Sequence, residues 1–141
     1  MLRSTVTPAA PDQTDLEQLA RSAADNAYAP YSKFYVGAAI LLSNGEVVTG
    51  CNVENASYRL TTCAEQNAIA AAVAKFGPSI RLRAVAVANR AQTPCQPCGA
   101  CRQTIAEFAA SDATVSFPGE AGATVTCTLA DLLPAAFELK S

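Results

Sequence analysis

The chain has 141 residues, half of them apolar, which suits one compact domain and leaves too little length for two ordinary ones. A net charge of −2 and a pI near 5.0 argue against a nucleic-acid polymer as partner, because such contacts call for a basic stripe. The chain contains no histidine, so Ser-His-Asp and Cys-His catalysis are excluded and any zinc must be held by Cys or carboxylate.

Residues 1 to 13 are rich in Pro, Thr and Ala without a sustained period and are expected to form a flexible leader ahead of a single domain over 14 to 141. They lack the apolar block of a signal peptide, and stretches such as Val36 to Leu42 and Ala68 to Ala74 fall short of the roughly 20 residues a membrane span needs. The expected address is the cytoplasm, with no membrane partner. There six cysteines read as reduced thiols and metal ligands rather than a disulfide framework.

Thr14-x-x-Glu17 is a plausible capping box, and Leu16, Leu19, Ala20, Ala23, Ala24 and Ala27 recur at helical spacing to about Tyr28. Val36 to Leu42 and Glu46 to Cys51 flank Ser43-Asn44-Gly45, a strong hairpin signal. A helix is predicted from Ala64 to Lys75, stopping before Gly77-Pro78, and a strand covered on both faces from Arg81 to Asn89. A further helix runs from near Cys98 to about Ala110, followed by strands at Thr114 to Phe117 and Thr124 to Cys127 and a short helix at Leu129 to Leu133. Strands interleaved with helices and opened by a hairpin suggest an α/β fold, a mixed sheet between helical layers.

The chemistry concentrates at two predicted helix starts. Cys63, Ala64 and Glu65 open one; Cys98 and Cys101, within Pro97-Cys98-Gly99-Ala100-Cys101-Arg102-Gln103, open the other. Unpaired N–H groups and the positive dipole end there favour thiolate over thiol. Two such termini facing each other would present three sulfurs to one ion and leave its fourth position open, the mark of a catalytic rather than a structural zinc. Glu65, two residues after Cys63, is placed to shuttle protons without ligating the metal.

Plainer readings exist for each residue. Cys95 with Cys63, Cys98 and Cys101 would make a closed four-cysteine structural site, or a non-enzymatic zinc or redox module. Cys95 otherwise reads as a spare thiol near the site, and Cys51 and Cys127 as buried strand residues. Glu65 alone would be a first-turn carboxylate answering the helix dipole. Asn52 and Glu54 would be ordinary loop residues, Phe34, Tyr58 and Phe137 core or interface residues, Tyr28 and Tyr31 packing residues, and Lys33 and Arg102 solvated charges.

Cys-Ala-Glu followed by Pro-Cys-Gly-Ala-Cys-Arg-Gln resembles the zinc nucleoside deaminases, in the form where cysteine replaces the histidine of the His-x-Glu version. The likeness extends through Tyr31-Ser32-Lys33-Phe34, through residues 50 to 58 and through Leu132 to Phe137, and it is to the short, homotetrameric cytidine deaminases. It implies a three-layer α/β/α fold with a mixed five-stranded sheet and one zinc per subunit on Cys63, Cys98 and Cys101. It further implies hydrolysis of cytidine and 2′-deoxycytidine to uridine and 2′-deoxyuridine plus ammonia in pyrimidine salvage, by hydroxide attack at C4 with Glu65 shuttling protons. Phe34 would face the pyrimidine, Asn52 and Glu54 would hold the ribose hydroxyls, and Ala64 would offer backbone groups to the base edge. Phe137 and Tyr58 would complete neighbouring subunits' pockets. Rival substrates are a modified cytosine nucleoside or a blasticidin-type one, and a polynucleotide editor is disfavoured by the acidic balance.

Two positions depart from the resembled pattern. Gln66 stands where Arg is usual after the catalytic Glu, removing a cation beside three thiolates; it is expected to tune the site and to donate hydrogen bonds to sulfur. Tyr35 stands where Pro is usual after the Phe, altering the rim near Phe34.

Overall fold

The computed structural model describes residues 12–140. Most of the leader expected over 1 to 13 therefore lies outside the described residues, but its end is already structured. The first helix, α1 (Gln13–Ala24), is capped by Asp12, whose side chain accepts from the Asp15 amide while the Asp15 carboxylate accepts from the Asp12 amide. The reciprocal box is thus Asp12 and Asp15, not Thr14 and Glu17, because Asp12 presents its carboxylate two residues ahead of where the threonine hydroxyl would act. The helix also stops before Tyr28. Tyr28 donates its N–H to the Asn52 carbonyl and accepts from the Glu54 amide, so sheet-like bonds take the groups a longer helix would need.

The remaining elements fall close to the sequence expectations. Strand β1 (Val36–Leu42) turns through Asn44-Gly45, with Gly45 at φ 87°, into β2 (Val47–Cys51); then follow α2 (Ala64–Phe76), β3 (Leu82–Asn89), α3 (Gly99–Phe108), β4 (Ala109–Pro118), β5 (Thr124–Thr128) and α4 (Leu129–Leu132). The β4 strand begins five residues earlier than Thr114, directly where α3 ends, because Ala109 pairs with Leu82.

The sheet order is β2-β1-β3-β4-β5, with β3 and β4 parallel and the other neighbours antiparallel. Helix α1 covers one face, setting Leu16 and Ala20 against Ala39, Leu41, Ala86 and Ala88. Helices α2 and α3 cover the other, where Ala68, Ile69, Ala72 and Ile105 meet Ile40, Val85, Val87 and Val115. This is the expected three-layer α/β/α arrangement with a mixed five-stranded sheet. All of β1 is buried because both its faces carry a helical layer.

Gly50 fixes how closely α2 lies on the sheet. A Cβ there would stand 2.5 Å from the Ala68 amide nitrogen and 2.7 Å from the Ala64 carbonyl oxygen, both backbone atoms of α2. Overpacking of that kind costs about 3 kcal/mol. Gly50→Ala is therefore expected to lower unfolding stability by that amount in urea titration, and to disturb the helix start that carries Cys63 and Glu65.

Candidate active site

Cys63 and Cys98 are the N-caps of α2 and α3, both with extended backbone at φ −80° and −66°, and Cys101 lies in the first turn of α3. The two helices pack side by side, so their N-termini bring the sulfurs together. Sγ of Cys63 lies 3.9 Å from that of Cys98, and Cys98 Sγ lies 3.3 Å from that of Cys101 while accepting from the Cys101 amide. All three lie within 4.8 Å of one another. Zinc–sulfur bonds of about 2.3 Å at tetrahedral angles set sulfurs roughly 3.8 Å apart, so the donor set fits the ion.

Charge in the cluster points the same way. Hydrogen bonding from the Cys101 thiol, aided by Cys98, holds Cys63 down to about 7 from an ordinary 9.0 against the opposing effect of burial. Cys101 is pushed up, first because it keeps the proton it lends to Cys63 and then by burial. Cys63 and Cys101 thus share a proton, a compromise that a divalent cation would replace with full thiolates.

Glu65 sits beside them in the first turn of α2, only 4% exposed. Burial raises its pKa above the ordinary 4.5, partly offset by hydrogen bonds from its own backbone amide and the Cys101 side chain. Ala64, which opens α2, is fully buried. Cys95 is half-buried with its thiol pushed up, chiefly by burial. It lies outside the one close cysteine group among the described residues, which leaves a closed four-sulfur site without support.

Asn52 and Glu54 follow β2 into a segment tied to Thr62 and Tyr28 through Val53. Asn52 Oδ1 accepts from the Val36 amide and its Nδ2 donates to the Phe34 carbonyl. Glu54 accepts from the Tyr31 and Ser32 amides and from the Ser32 hydroxyl, and these bonds, led by the hydroxyl, hold its pKa below the ordinary value. Both side chains therefore frame the Tyr31–Val36 strand entry that carries Phe34. Gln66 accepts from the Cys63 amide through Oε1. Its backbone amide in turn donates to the Cys63 side chain, so the contact with sulfur is made by the main chain while the side chain caps, a role an arginine could not fill because it has no acceptor.

Tyr58 is 79% exposed, meets Tyr31 edge-on at 6.4 Å, and lines an open cleft with Ser32, Glu54 and Thr61. Phe137, 71% exposed, lines a different cleft with Ala106 and Glu107, its carbonyl held by Gln103. Within one chain the structure does not bring these two rings to a common pocket. Tyr28 and Tyr31 are more than half exposed rather than packed inside. Cys51 and Cys127 are only partly buried.

Sequence reading missed two supports. Arg102 is no free surface charge: its guanidinium donates to the carbonyls of Pro97 and Leu132 and to the Gln96 side chain, tying the Cys98 loop to α4. Asn89, 1% exposed, bonds the amide, hydroxyl and carbonyl of Thr93 and so shapes the loop from β3 toward Cys98. Neither role has a local sequence signal, since most of the partners are backbone groups that only the folded chain brings within reach.

The family model for the cytidine and deoxycytidylate deaminase zinc-binding region matches residues 11–117. The cytidine deaminase of Sporosarcina psychrophila is 44% identical over 126 residues, covering 87% of this chain and 91% of that protein. That of Mycobacterium tuberculosis is 45% identical over 120 residues, 85% of each. The crystal structure of cytidine deaminase from Burkholderia pseudomallei superposes with a TM-score of 0.80 at 41% identity, covering 90% of this chain and 100% of that one. A domain match over most of the chain, a shared fold and a three-cysteine cluster at the matched region agree, and the chain belongs to the zinc-binding cytidine and deoxycytidylate deaminase family.

Proposed function

We propose that the chain hydrolyses cytidine and 2′-deoxycytidine to uridine and 2′-deoxyuridine, releasing ammonia. The observation that carries this reading is the buried Glu65 carboxyl set beside three clustered sulfurs at two helix N-termini. Cys63, Cys98 and Cys101 would hold one zinc, which when bound supplies the Lewis acidity that activates water near neutral pH. Glu65 accepts a proton from the water as oxygen adds to C4 and delivers it to N3. It then carries the second proton from the C4 hydroxyl to the departing amino group, so that ammonia leaves and a carbonyl forms. Its raised pKa suits it to hold that proton between the two transfers.

In the same proposal Phe34 faces the pyrimidine and Ala64 offers backbone groups to the base edge. Asn52 and Glu54 grip the ribose with the acceptor and donor capacity their framing bonds leave over. Gln66 tunes the site by holding Cys63 in its capping position. A single domain, a cytoplasmic setting that keeps the cysteines reduced, and a place in pyrimidine salvage complete the reading. Among the described residues no helix is long and apolar enough to cross a membrane.

We also propose a homotetramer whose pockets are shared. Tyr28, Tyr31, Tyr58, Leu60 and Phe137 each expose more than half of their surface, an unusual load of large apolar side chains for a small domain. Tyr58 and Phe137 would close the pockets of neighbouring subunits.

Ultraviolet loss of the cytosine chromophore tests the central reading. The zinc-loaded protein should turn over cytidine and deoxycytidine, and Glu65→Ala should lower kcat by about a thousandfold while keeping its zinc. Turnover unchanged in that variant would sink the assignment.

Thiol chemistry checks the metal ligands. In the metal-free protein, iodoacetamide should alkylate Cys63 with a rate that rises through pH of about 7, where its thiolate forms. One equivalent of zinc should protect Cys63, Cys98 and Cys101 together. Protection of Cys95 in their place would reassign the site.

Sharing of pockets is read by mixing. Glu65→Ala and Phe137→Ala are each expected to be poorly active alone, and their co-expressed hybrids to exceed the sum, because some pockets regain both residues. Sedimentation of the wild type as a monomer, or hybrids no better than the sum, would overturn the shared pocket.

A further inference from the structure

Phe34 lies in a three-residue stretch whose backbone is pinned almost completely. Its amide donates to Ser32 Oγ and its carbonyl accepts from Asn52 Nδ2; the Val36 amide donates to Asn52 Oδ1, and the Tyr35 carbonyl accepts from the Arg90 amide at 3.0 Å. The Tyr35 N–H has no protein acceptor among the described residues. Tyr35 is thus the link at which the stretch can twist, and the torsions on either side of it aim the Phe34 ring.

Arg90 closes that gap from outside the stretch. Its guanidinium carbon lies 4.2 Å from the centroid of the Tyr35 ring. The same group reaches the C-terminal end of α1, with Nη2 donating to the Asp25 carbonyl at 3.1 Å and Nε 3.4 Å from Asp25 Oδ1. One planar cation therefore ties β3, α1 and the Tyr35 ring, and its fixed fork loses little freedom for each contact. The carbonyl it meets at the end of α1 carries the negative pole of that helix. A proline at position 35 would stiffen the backbone directly through its ring and would sacrifice no hydrogen bond.

We propose that Arg90 is a positioning residue that aims Phe34 by clamping the Tyr35 ring, taking the place of the rigidity a proline would give. The consequence for substrate rests on the reading of Phe34 as the face of the pyrimidine pocket. It assigns Arg90 an effect on how tightly the base is held rather than on proton transfer.

The test compares the full-length wild type, Arg90→Ala, Arg90→Met, Tyr35→Pro and the Arg90→Ala/Tyr35→Pro double variant. The first readout is the fluorine resonance of 4-fluorophenylalanine placed at position 34, which needs no turnover. It should be single and narrow in the wild type, broadened or doubled in Arg90→Ala and Arg90→Met, and narrow again in the double variant. The second is cytidine kinetics: Arg90→Ala should raise KM about fivefold with kcat within about twofold, and Tyr35→Pro should reverse the rise. Arg90→Met keeps the apolar stem, so a broadened line there separates loss of the clamp from loss of packing. A narrow line in both single Arg90 variants overturns the proposal, as does a KM rise that Tyr35→Pro fails to reverse. Absence of cytidine turnover in the wild type would count against the reaction assigned above, while the fluorine comparison would still decide the role of Arg90.

Discussion

Everything at the site depends on bringing two helix N-termini close enough for their cysteines to touch. Three sulfurs within 4.8 Å and a carboxyl that is 4% exposed form an unfavourable concentration of ionisable groups. Each helix start carries about half a positive charge together with unpaired N–H donors. That local field, the shared proton and the capping amide bonds are what the chain itself supplies to tolerate the cluster. The closeness is in turn a packing matter, since α2 can settle against β2 only where Gly50 leaves room for its backbone.

A second layer of the design lies in side chains that frame the site before any ligand arrives. Asn52 brackets Phe34 and Val36, and Glu54 binds the turn at Tyr31 and Ser32. A carboxylate that already accepts three hydrogen bonds is a preorganised acceptor whose orientation does not have to be selected on binding. Arg102 and Asn89 do the equivalent work on the α3 side, fixing the path into Cys98. Residues assigned to substrate and residues assigned to scaffold are therefore partly the same residues.

The outer surface tells a different story from the core. The interior is filled by short aliphatic side chains on both sheet faces, whereas most of the tyrosines lie outside. Tyr31 and Tyr58 meet edge-on on that surface, and Phe137 sits at the far end of the chain against α3. Aromatic rings held on the outside of an otherwise well-buried α/β domain are a pattern of protein contact surfaces.

Much of this architecture was legible without coordinates. Strand β1 was readable as an unbroken apolar run, the hairpin from Asn44-Gly45, and the starts of α2 and α3 from the cysteine motifs, because each depends on local periodicity or turn chemistry. The clustering of Cys63, Cys98 and Cys101, with Glu65 beside them, was legible because zinc geometry and proton transfer demand those residue types at that spacing. The end of α1, the early start of β4, the capping role of Gln66 and the clamp of Arg102 were not. The end of α1, the start of β4 and the Arg102 ties depend on groups distant in sequence, such as Asn52 for Tyr28, Leu82 for Ala109 or Leu132 for Arg102, of which local pattern carries no record, whereas the Gln66 cap is a local bond to Cys63 masked by the cysteine standing where Ser or Thr is usual. The sequence alone thus determined which elements form and which ionisable side chains are available to gather at two helix starts, since those follow from nearest neighbours and side-chain type. Only the tertiary structure decided which polar groups brace them, because a hydrogen bond is made to whatever donor or acceptor the folded chain brings within reach.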